Sequence, residues 1–216
     1  MTTKDLSLTH NIRPSSLTEK APLLLLLHGY GSDENDLFSF ASELPKEYIV
    51  VSAKAPHSLQ PYGNAWYAIN FDAAGDKFSD TEQAIKSRER IMQFIDELID
   101  AYPIDEKDIN LLGFSQGTIL SFAAALSYPE KFNKIIGLSG YIDKNMLVNG
   151  FDIKDFSHLK VYNSHGSQDQ VIPVDWARNN QEILNELNIE FKYEEFPVGH
   201  GVAPQNFASL MKWLVM

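Results

Sequence analysis

The sequence predicts an α/β protein whose central sheet is mostly parallel and is covered by helices on both faces. Short apolar runs of strand length alternate with longer segments of helical periodicity along the chain. The run 23–27 consists of five leucines, which is typical of a strand buried on both faces of a parallel sheet. This alternation indicates right-handed crossovers between neighbouring parallel strands, as in a doubly wound sheet.

Seven strands are predicted, each from a short apolar or alternating run bounded by charged or turn-forming residues. They cover residues 6–12, 23–27, 48–53, 109–112, 134–139, 160–165 and 190–196. Residues 6–12 alternate loosely and 190–196 alternate regularly, which favours strands at or near the sheet edges.

Five helices are predicted, over residues 33–44, 80–102, 116–126, 173–187 and 204–214. Ser32 or Asp33 is expected to cap the first of them, and Pro45 follows its last residue. The segment 80–102 has the clearest apolar stripe, and Pro103 ends it. Residues 54–79 show little periodicity and are predicted to form a long loop. Such a loop inside a compact domain is usually functional.

Composition narrows the class of protein. The 216 residues form a single predicted domain, contain no cysteine and carry a formal net charge of −11. Disulfides, a thiolate nucleophile and a thiolate zinc site are therefore excluded. The charge argues against nucleic acid and against docking on anionic membranes. No signal segment is visible and the run 23–27 is too short to span a bilayer, so we expect a cytoplasmic protein without stable membrane insertion.

The segment 113–117 reads G-F-S-Q-G, a G-x-S-x-G pattern between a predicted strand and a predicted helix. This context predicts a sharp, strained turn that holds Ser115 with its Oγ above the end of the sheet. The helix that begins at Gln116 would direct its N–H groups at a developing oxyanion. Ser115 is therefore the predicted nucleophile.

A serine nucleophile needs a base, and the base needs a group that orients it. Asp169 follows the sixth predicted strand and His200 follows the seventh, which gives the chain order Ser, acid, His. Taken alone, Asp169 could be a turn or capping carboxylate and His200 a loop histidine. Asp143 also follows a strand and is the rival acid. The joint placement after separate strands favours Ser115, Asp169 and His200 as a triad.

Two further predictions concern the surroundings of the serine. The loop 28–31 (HGYG) follows the leucine strand, where this arrangement supplies a second oxyanion donor, so the backbone N–H groups of Tyr30 and Gln116 are the expected donors. The loop 54–79 follows a central strand and concentrates aromatic residues, and Trp66 is its expected apolar wall for the acyl group. The alternative is that Trp66 belongs to the core.

Four motifs together resemble the phospholipase/carboxylesterase family of α/β-hydrolases, which includes bacterial carboxylesterases and acyl-protein thioesterases. They are L-L-H-G-Y-G at 26–31, G-F-S-Q-G at 113–117, H-G-x-x-D-x-V-I-P at 165–173 and G-H-G at 199–201. The segment 55–67 is similar to the family stretch that lines the acyl site, although it lacks a proline before Trp66.

The resemblance implies an α/β-hydrolase fold that needs no cofactor, with the triad and oxyanion donors named above. Residues 140–159 lack a helical stripe, so we expect no cap domain and an open site. The prediction is a serine carboxylesterase that hydrolyses esters, including thioesters, through an acyl-enzyme. Its substrate would be a small acyl ester or an acyl group on a larger carrier.

Several alternatives stay open at this point. A lysophospholipase or an acyl-protein thioesterase would use the same triad. An inactive hydrolase fold could serve as a binding module. A nucleotide-binding fold is disfavoured because no G-x-G-x-x-G follows the first buried strand. The oligomeric state is also open, with a homodimer as one alternative.

Overall fold

The computed structural model describes residues 2–71 and 77–216. Eleven strands are present in this part of the chain: β1 (His10–Arg13), β2 (Ala21–Leu27), β3 (Ile49–Ala53), β4 (His57–Ser58), β5 (Asn64–Ala65), β6 (Ile69–Phe71), β7 (Lys77–Ser79), β8 (Ile104–Phe114), β9 (Lys134–Leu138), β10 (Lys160–Gly166) and β11 (Glu190–Phe196). The α-helices are α1 (Thr81–Ala101), α2 (Gln116–Ser127), α3 (Val174–Glu186) and α4 (Pro204–Leu214).

The main sheet has seven strands in the order β1-β3-β2-β8-β9-β10-β11. The edge strand β1 runs antiparallel to β3, and every other neighbouring pair is parallel. The parallel strands therefore end at one edge of the sheet, where the loops that follow β2, β8, β10 and β11 meet. This arrangement confirms the predicted α/β-hydrolase fold class.

Leucines of β2 alternate between the two faces of the sheet, and all five are fully buried. Leu23, Leu25 and Leu27 pack into a core with residues of α1, α2 and α3. Leu24 and Leu26 pack into a second core with residues of α4 and of the segment after β2. Burial on both faces explains why the strand shows no polar alternation.

The predicted helix 33–44 is wrong in its extent, since only a 3₁₀ turn at Leu37–Phe40 is regular. Short polar side chains in this segment bond to nearby backbone groups and favour turns. The Asp33 carboxylate accepts the backbone N–H of Asn35 at 2.8 Å, and the Ser39 hydroxyl donates to the carbonyl of Asp36 at 2.6 Å.

Three other predictions, two of strand bounds and one of a loop without regular structure, need correction. Strand β8 extends beyond 109–112 because its pairing with β2 continues to Ile104 opposite Ala21. Strand β1 is shorter than 6–12. The predicted loop 54–79 contains two small hairpins, β4–β5 and β6–β7, although its residues 72–76 lie outside the described chain. The remaining strands and helices agree with prediction to within two residues at either end.

The segment 140–159 carries only two 3₁₀ turns, Lys144–Met146 and Phe151–Ile153. It therefore forms no cap domain, as the sequence predicted, and the carboxyl edge of the sheet stays accessible. No helix in the described ranges is long and apolar enough to cross a membrane.

Candidate active site

Ser115 lies on a strained turn between β8 and α2. Its φ of 54° and ψ of −116° are rarely adopted by residues other than glycine. Its N–H donates to the carbonyl of Leu138 at 2.8 Å, which fixes the turn to the next strand. A methyl group on Gly117 would overlap the Leu27 carbonyl, and one on Gly113 would overlap the backbone of Gly117. Only glycine permits so close an approach of strand and helix.

His200 links Ser115 to Asp169 through two short contacts. Its Nε2 lies 2.9 Å from Ser115 Oγ, and its Nδ1 lies 2.7 Å from Asp169 Oδ2. Because an ionised carboxylate only accepts hydrogen bonds, Nδ1 carries the proton and donates it to Asp169. Nε2 is then free to accept the Ser115 hydroxyl. The three residues predicted from chain order thus lie in one hydrogen-bonded row.

Asp169 is held from two sides. Its Oδ1 accepts the backbone N–H groups of Val171 and Ile172 at 2.8 and 3.0 Å. Its Oδ2 also lies 3.2 Å from Nε2 of the fully buried His165. Burial raises the pKa of Asp169, but the hydrogen bonds from His200, Ile172 and Val171 outweigh burial and leave the pKa below its usual value. The carboxylate is therefore ionised and fixed in orientation.

Asp143, the rival acid, does not pair with His200. Its Oδ1 accepts the backbone N–H and the side-chain amide of Asn145 at 3.0 and 2.9 Å. It lies on the same cavity as Ser115 and His200, but as part of the wall.

The loop after β2 passes directly beside the nucleophile. A methyl group on Gly29 would lie 3.4 Å from Cβ of Ser115. Among the residues that the structure describes, the backbone N–H groups of Tyr30 and Gln116 donate to no protein acceptor. Both groups are thus available to a negatively charged oxygen beside Ser115 Oγ.

The segment around β5 holds the loop that carries Tyr30. The backbone of Asn64 accepts the N–H of Gly31 and donates to the carbonyl of Ser32, each at 2.8 Å. The indole N–H of Trp66 donates to the carbonyl of His28 at 2.9 Å.

The same segment holds Gln116 through its side chain. Oε1 accepts the N–H of Trp66 and Nε2 donates to the carbonyl of Tyr67, each at 2.8 Å. One short stretch of chain therefore positions both backbone donors. Sequence reasoning missed these contacts because an amide side chain in a motif gives no sign of its partner.

Trp66 was predicted as the apolar wall of the acyl site, and its position calls for a correction. Trp66 and Tyr67 are both buried in the same core, but only Tyr67 lines the cavity. The pattern of aromatics located the segment but not which of the two neighbours faces the substrate.

His28 is buried behind the oxyanion loop. Its Nε2 accepts the backbone N–H of Ala55 at 3.0 Å, and its Nδ1 donates to the carbonyl of Gly29 at 2.7 Å. Burial lowers its pKa, against the opposing effects of the Gly29 hydrogen bond and of nearby carboxylates. The neutral ring is therefore structural and holds the loop to the segment that follows β3.

A cavity of about 600 Å³ opens beside Ser115 and His200. Its apolar and aromatic wall includes Tyr30, Tyr67, Ile119, Tyr141, Ile172 and Trp176. The volume lies within the range of small-molecule sites. No group of three or more His, Cys, Asp or Glu side chains in the described ranges is arranged to hold a metal ion.

The sheet, its crossovers and its loops define an α/β-hydrolase. Esterase PE8 has the same fold, with a TM-score of 0.80 and 26% identity. The match covers 97% of this chain and 99% of that chain. The carboxylesterase from Bacillus cereus gives a TM-score of 0.81 at 20% identity, covering 96% of this chain and 93% of that one.

A profile of the phospholipase/carboxylesterase family matches residues 11–216, and the chain belongs to this family. The chain is therefore an ester hydrolase of the carboxylesterase class, which confirms the predicted family and enzyme class. It is 28% identical to acyl-protein thioesterase 1 from Yarrowia lipolytica over 88% of this chain and 89% of that protein. It is 26% identical to acyl-protein thioesterase 1 from Candida albicans over 93% and 94%.

Proposed function

We propose that the protein is a serine carboxylesterase in which Ser115, His200 and Asp169 form the catalytic triad of a single domain. The row of hydrogen bonds from Ser115 Oγ through His200 to Asp169, at 2.9 and 2.7 Å, carries this proposal. The strained backbone of Ser115 adds support, because such strain recurs at the nucleophiles of this fold.

The reaction begins when Ser115 Oγ attacks the acyl carbonyl and His200 Nε2 takes the hydroxyl proton. Asp169 keeps Nδ1 protonated and stabilises the imidazolium ion that forms. The carbonyl oxygen becomes an oxyanion, which accepts hydrogen bonds from the N–H groups of Tyr30 and Gln116. The N-terminus of α2 points at the same oxygen and adds the positive end of its dipole.

The tetrahedral intermediate collapses when the bond to the alcohol or thiol breaks. His200 Nε2–H gives its proton to the leaving oxygen or sulfur, and the acyl group remains on Ser115. Water then attacks the acyl-enzyme, with His200 again taking a proton and returning it to Oγ. The products are a carboxylic acid and a free alcohol or thiol.

Thioester hydrolysis on an acylated protein is a second candidate function. The two relatives described above are named acyl-protein thioesterases, and this chain matches each of them over most of its length. Tyr30, Val171 and Trp176 at the cavity are 45%, 52% and 47% exposed, which suits an acyl group presented on a larger carrier.

A panel of matched oxygen and thiol esters tests both candidates. The wild-type protein should hydrolyse short-chain esters, and Ser115→Ala should lower kcat by about 10⁴- to 10⁶-fold. Ser167→Ala is the matched control, since Ser167 is exposed on a neighbouring loop and should retain activity. Absence of turnover on every ester and thioester, in folded wild-type protein, would favour an inactive binding module instead.

A further inference from the structure

Part of the cavity wall plays no role in the proposed reaction. The rings of Tyr141 and Trp176 meet edge to face, with centroids 4.9 Å apart and an interplanar angle of 78°. Tyr30 and Tyr67 line the same cavity. Four aromatic side chains thus line the space beside Ser115.

Asp143 adds a fixed negative charge to this wall. Its Oδ1 is oriented by the N–H and amide of Asn145. The adjacent Lys144 turns away, since its Nζ lies 3.6 Å from the carboxylate of Glu186. Asp143 lines the same cavity as Tyr141 and Trp176, which places its carboxylate on the aromatic wall.

No lysine or arginine lines this cavity within the described chain. His200 is its one basic group there, and the proposed reaction uses it. The formal net charge of −11 gives the surroundings the same sign as Asp143. An anionic acyl group would therefore be repelled, whereas a cation would be attracted.

We propose that the aromatic and acidic wall formed by Tyr30, Tyr67, Tyr141, Trp176 and Asp143 binds a cationic group, quaternary or protonated ammonium, carried by the ester substrate. The proposal rests on the proposed hydrolytic function of the same site and makes Asp143 a specificity-determining residue. Aromatic faces attract ammonium ions through their quadrupoles, and the partly exposed carboxylate of Asp143 adds Coulomb attraction. Together they should favour a cationic ester over a neutral one of the same shape by about tenfold.

Matched pairs of esters test the preference. One pair is butyrylthiocholine and its neutral isostere, with carbon in place of the ammonium nitrogen. The other is a pair of nitrophenyl esters. One has a quaternary ammonium group in its acyl chain, and its neutral isostere has carbon in place of the ammonium nitrogen. The wild-type protein should show about a tenfold higher kcat/KM for the cationic member of at least one pair, equivalent to about 1.4 kcal/mol.

Asp143→Asn should remove most of that ratio, because asparagine keeps the hydrogen bonds to Asn145 but not the charge. Asp152→Asn is the matched control. It changes the net charge equally from an exposed position outside the cavity and should keep the ratio. Equal rates within both pairs, or a preference that survives Asp143→Asn, would overturn the proposal.

Binding to Ser115→Ala separates this proposal from the hydrolytic function. Calorimetric titration of that variant with butyrylthiocholine and with its neutral isostere measures affinity without turnover. The cationic ester should bind about tenfold more tightly, and the combined Ser115→Ala, Asp143→Asn variant should lose most of that difference. If the wild type hydrolyses neutral esters but Ser115→Ala shows no cation preference, the cation site is wrong and the hydrolase stands. If cation preference appears without any hydrolysis, the cation site stands and the hydrolytic function is wrong.

Discussion

The two sides of the cavity differ in how the chain holds them. On the nucleophile side, Ser115, Asp169 and His200 follow the ends of β8, β10 and β11, and backbone hydrogen bonds fix Ser115 and Asp169. On the substrate side, Tyr141 and Asp143 lie in an irregular segment. The sheet edge therefore carries the proposed reacting groups, whereas a connecting segment carries Tyr141 and Asp143 of the proposed substrate wall. In this proposal, reactivity and specificity can change independently, because they depend on different parts of the chain.

The largest effect is expected on the nucleophile side. Asp169→Asn should lower kcat by about 10⁴-fold with little change in folding. An asparagine amide placed where Oδ2 lies would force His200 to present Nε2–H to Ser115, so the ring could no longer accept the hydroxyl proton. Steady-state kinetics on a neutral ester measure this loss.

Asp152→Asn is the control for removal of one carboxylate and should retain wild-type kcat. If Asp143→Asn instead caused the 10⁴-fold loss on neutral esters while Asp169→Asn stayed active, Asp143 would be the acid of the triad.

A smaller loss of kcat is expected from Gln116→Ala, because the Gln116 side chain joins the two sides of the cavity. Its side chain ties α2 to Trp66 and Tyr67, so removal frees the donors beside Ser115 to shift. We expect kcat to fall about ten- to a hundredfold, the range that misplacement by about 1 Å can produce. Gln168→Ala, at an exposed position on the same edge, should retain activity. Wild-type kcat in Gln116→Ala would show that the contacts of the Gln116 side chain with Trp66 and Tyr67 do not position the donors.

Trp66→Phe tests the corrected placement of that residue. The variant keeps an aromatic ring but loses the hydrogen bond to the His28 carbonyl, so stability should fall by about 1–3 kcal/mol. Because the ring lies in the core, kcat/KM should fall alike for acyl chains of every length. Denaturant titration and an ester chain-length series measure the two quantities. A loss of kcat/KM that grows with acyl-chain length would support the original prediction that Trp66 forms the wall of the acyl site.

The smallest effect concerns pH. The pKa of His28 is lowered in the folded protein, so below about pH 6.5 the unfolded chain binds a proton that the fold resists. Stability should therefore decline as pH falls from about 6.5, by up to about 1.4 kcal/mol per pH unit. His28→Gln should lessen this decline, whereas His57→Gln, at an exposed position, should not. If stability fell equally steeply with pH in the wild type, His28→Gln and His57→Gln, a buried neutral His28 would be contradicted.

Much of the nucleophile side could be predicted from the sequence because its signals are local. A G-x-S-x-G turn, an Asp after one strand and a His after another need only chain order and strand ends. The same holds for β2, whose leucines fill two cores at once. The central strands and the long helix α1 follow from periodicity in the same way.

The substrate side could not be predicted to the same depth. Tyr141 and Trp176 lie 35 positions apart in sequence (176 − 141), and only the folded crossover brings their rings within 4.9 Å. Trp66 and Tyr67 are adjacent aromatic residues, and the sequence pattern does not distinguish which of them lines the cavity. The predicted helix 33–44 failed in its extent, because short polar residues near its start favour turns over a continuous helix.

Covalent labelling tests the central claim most directly. A fluorophosphonate reacts with a serine only where a base and an oxyanion site activate it. Mass spectrometry of the digested adduct should place one label on Ser115, and none should form on Ser115→Ala or on heat-unfolded protein. A label on a different serine, or no label on folded wild-type protein, would contradict the assignment of this site.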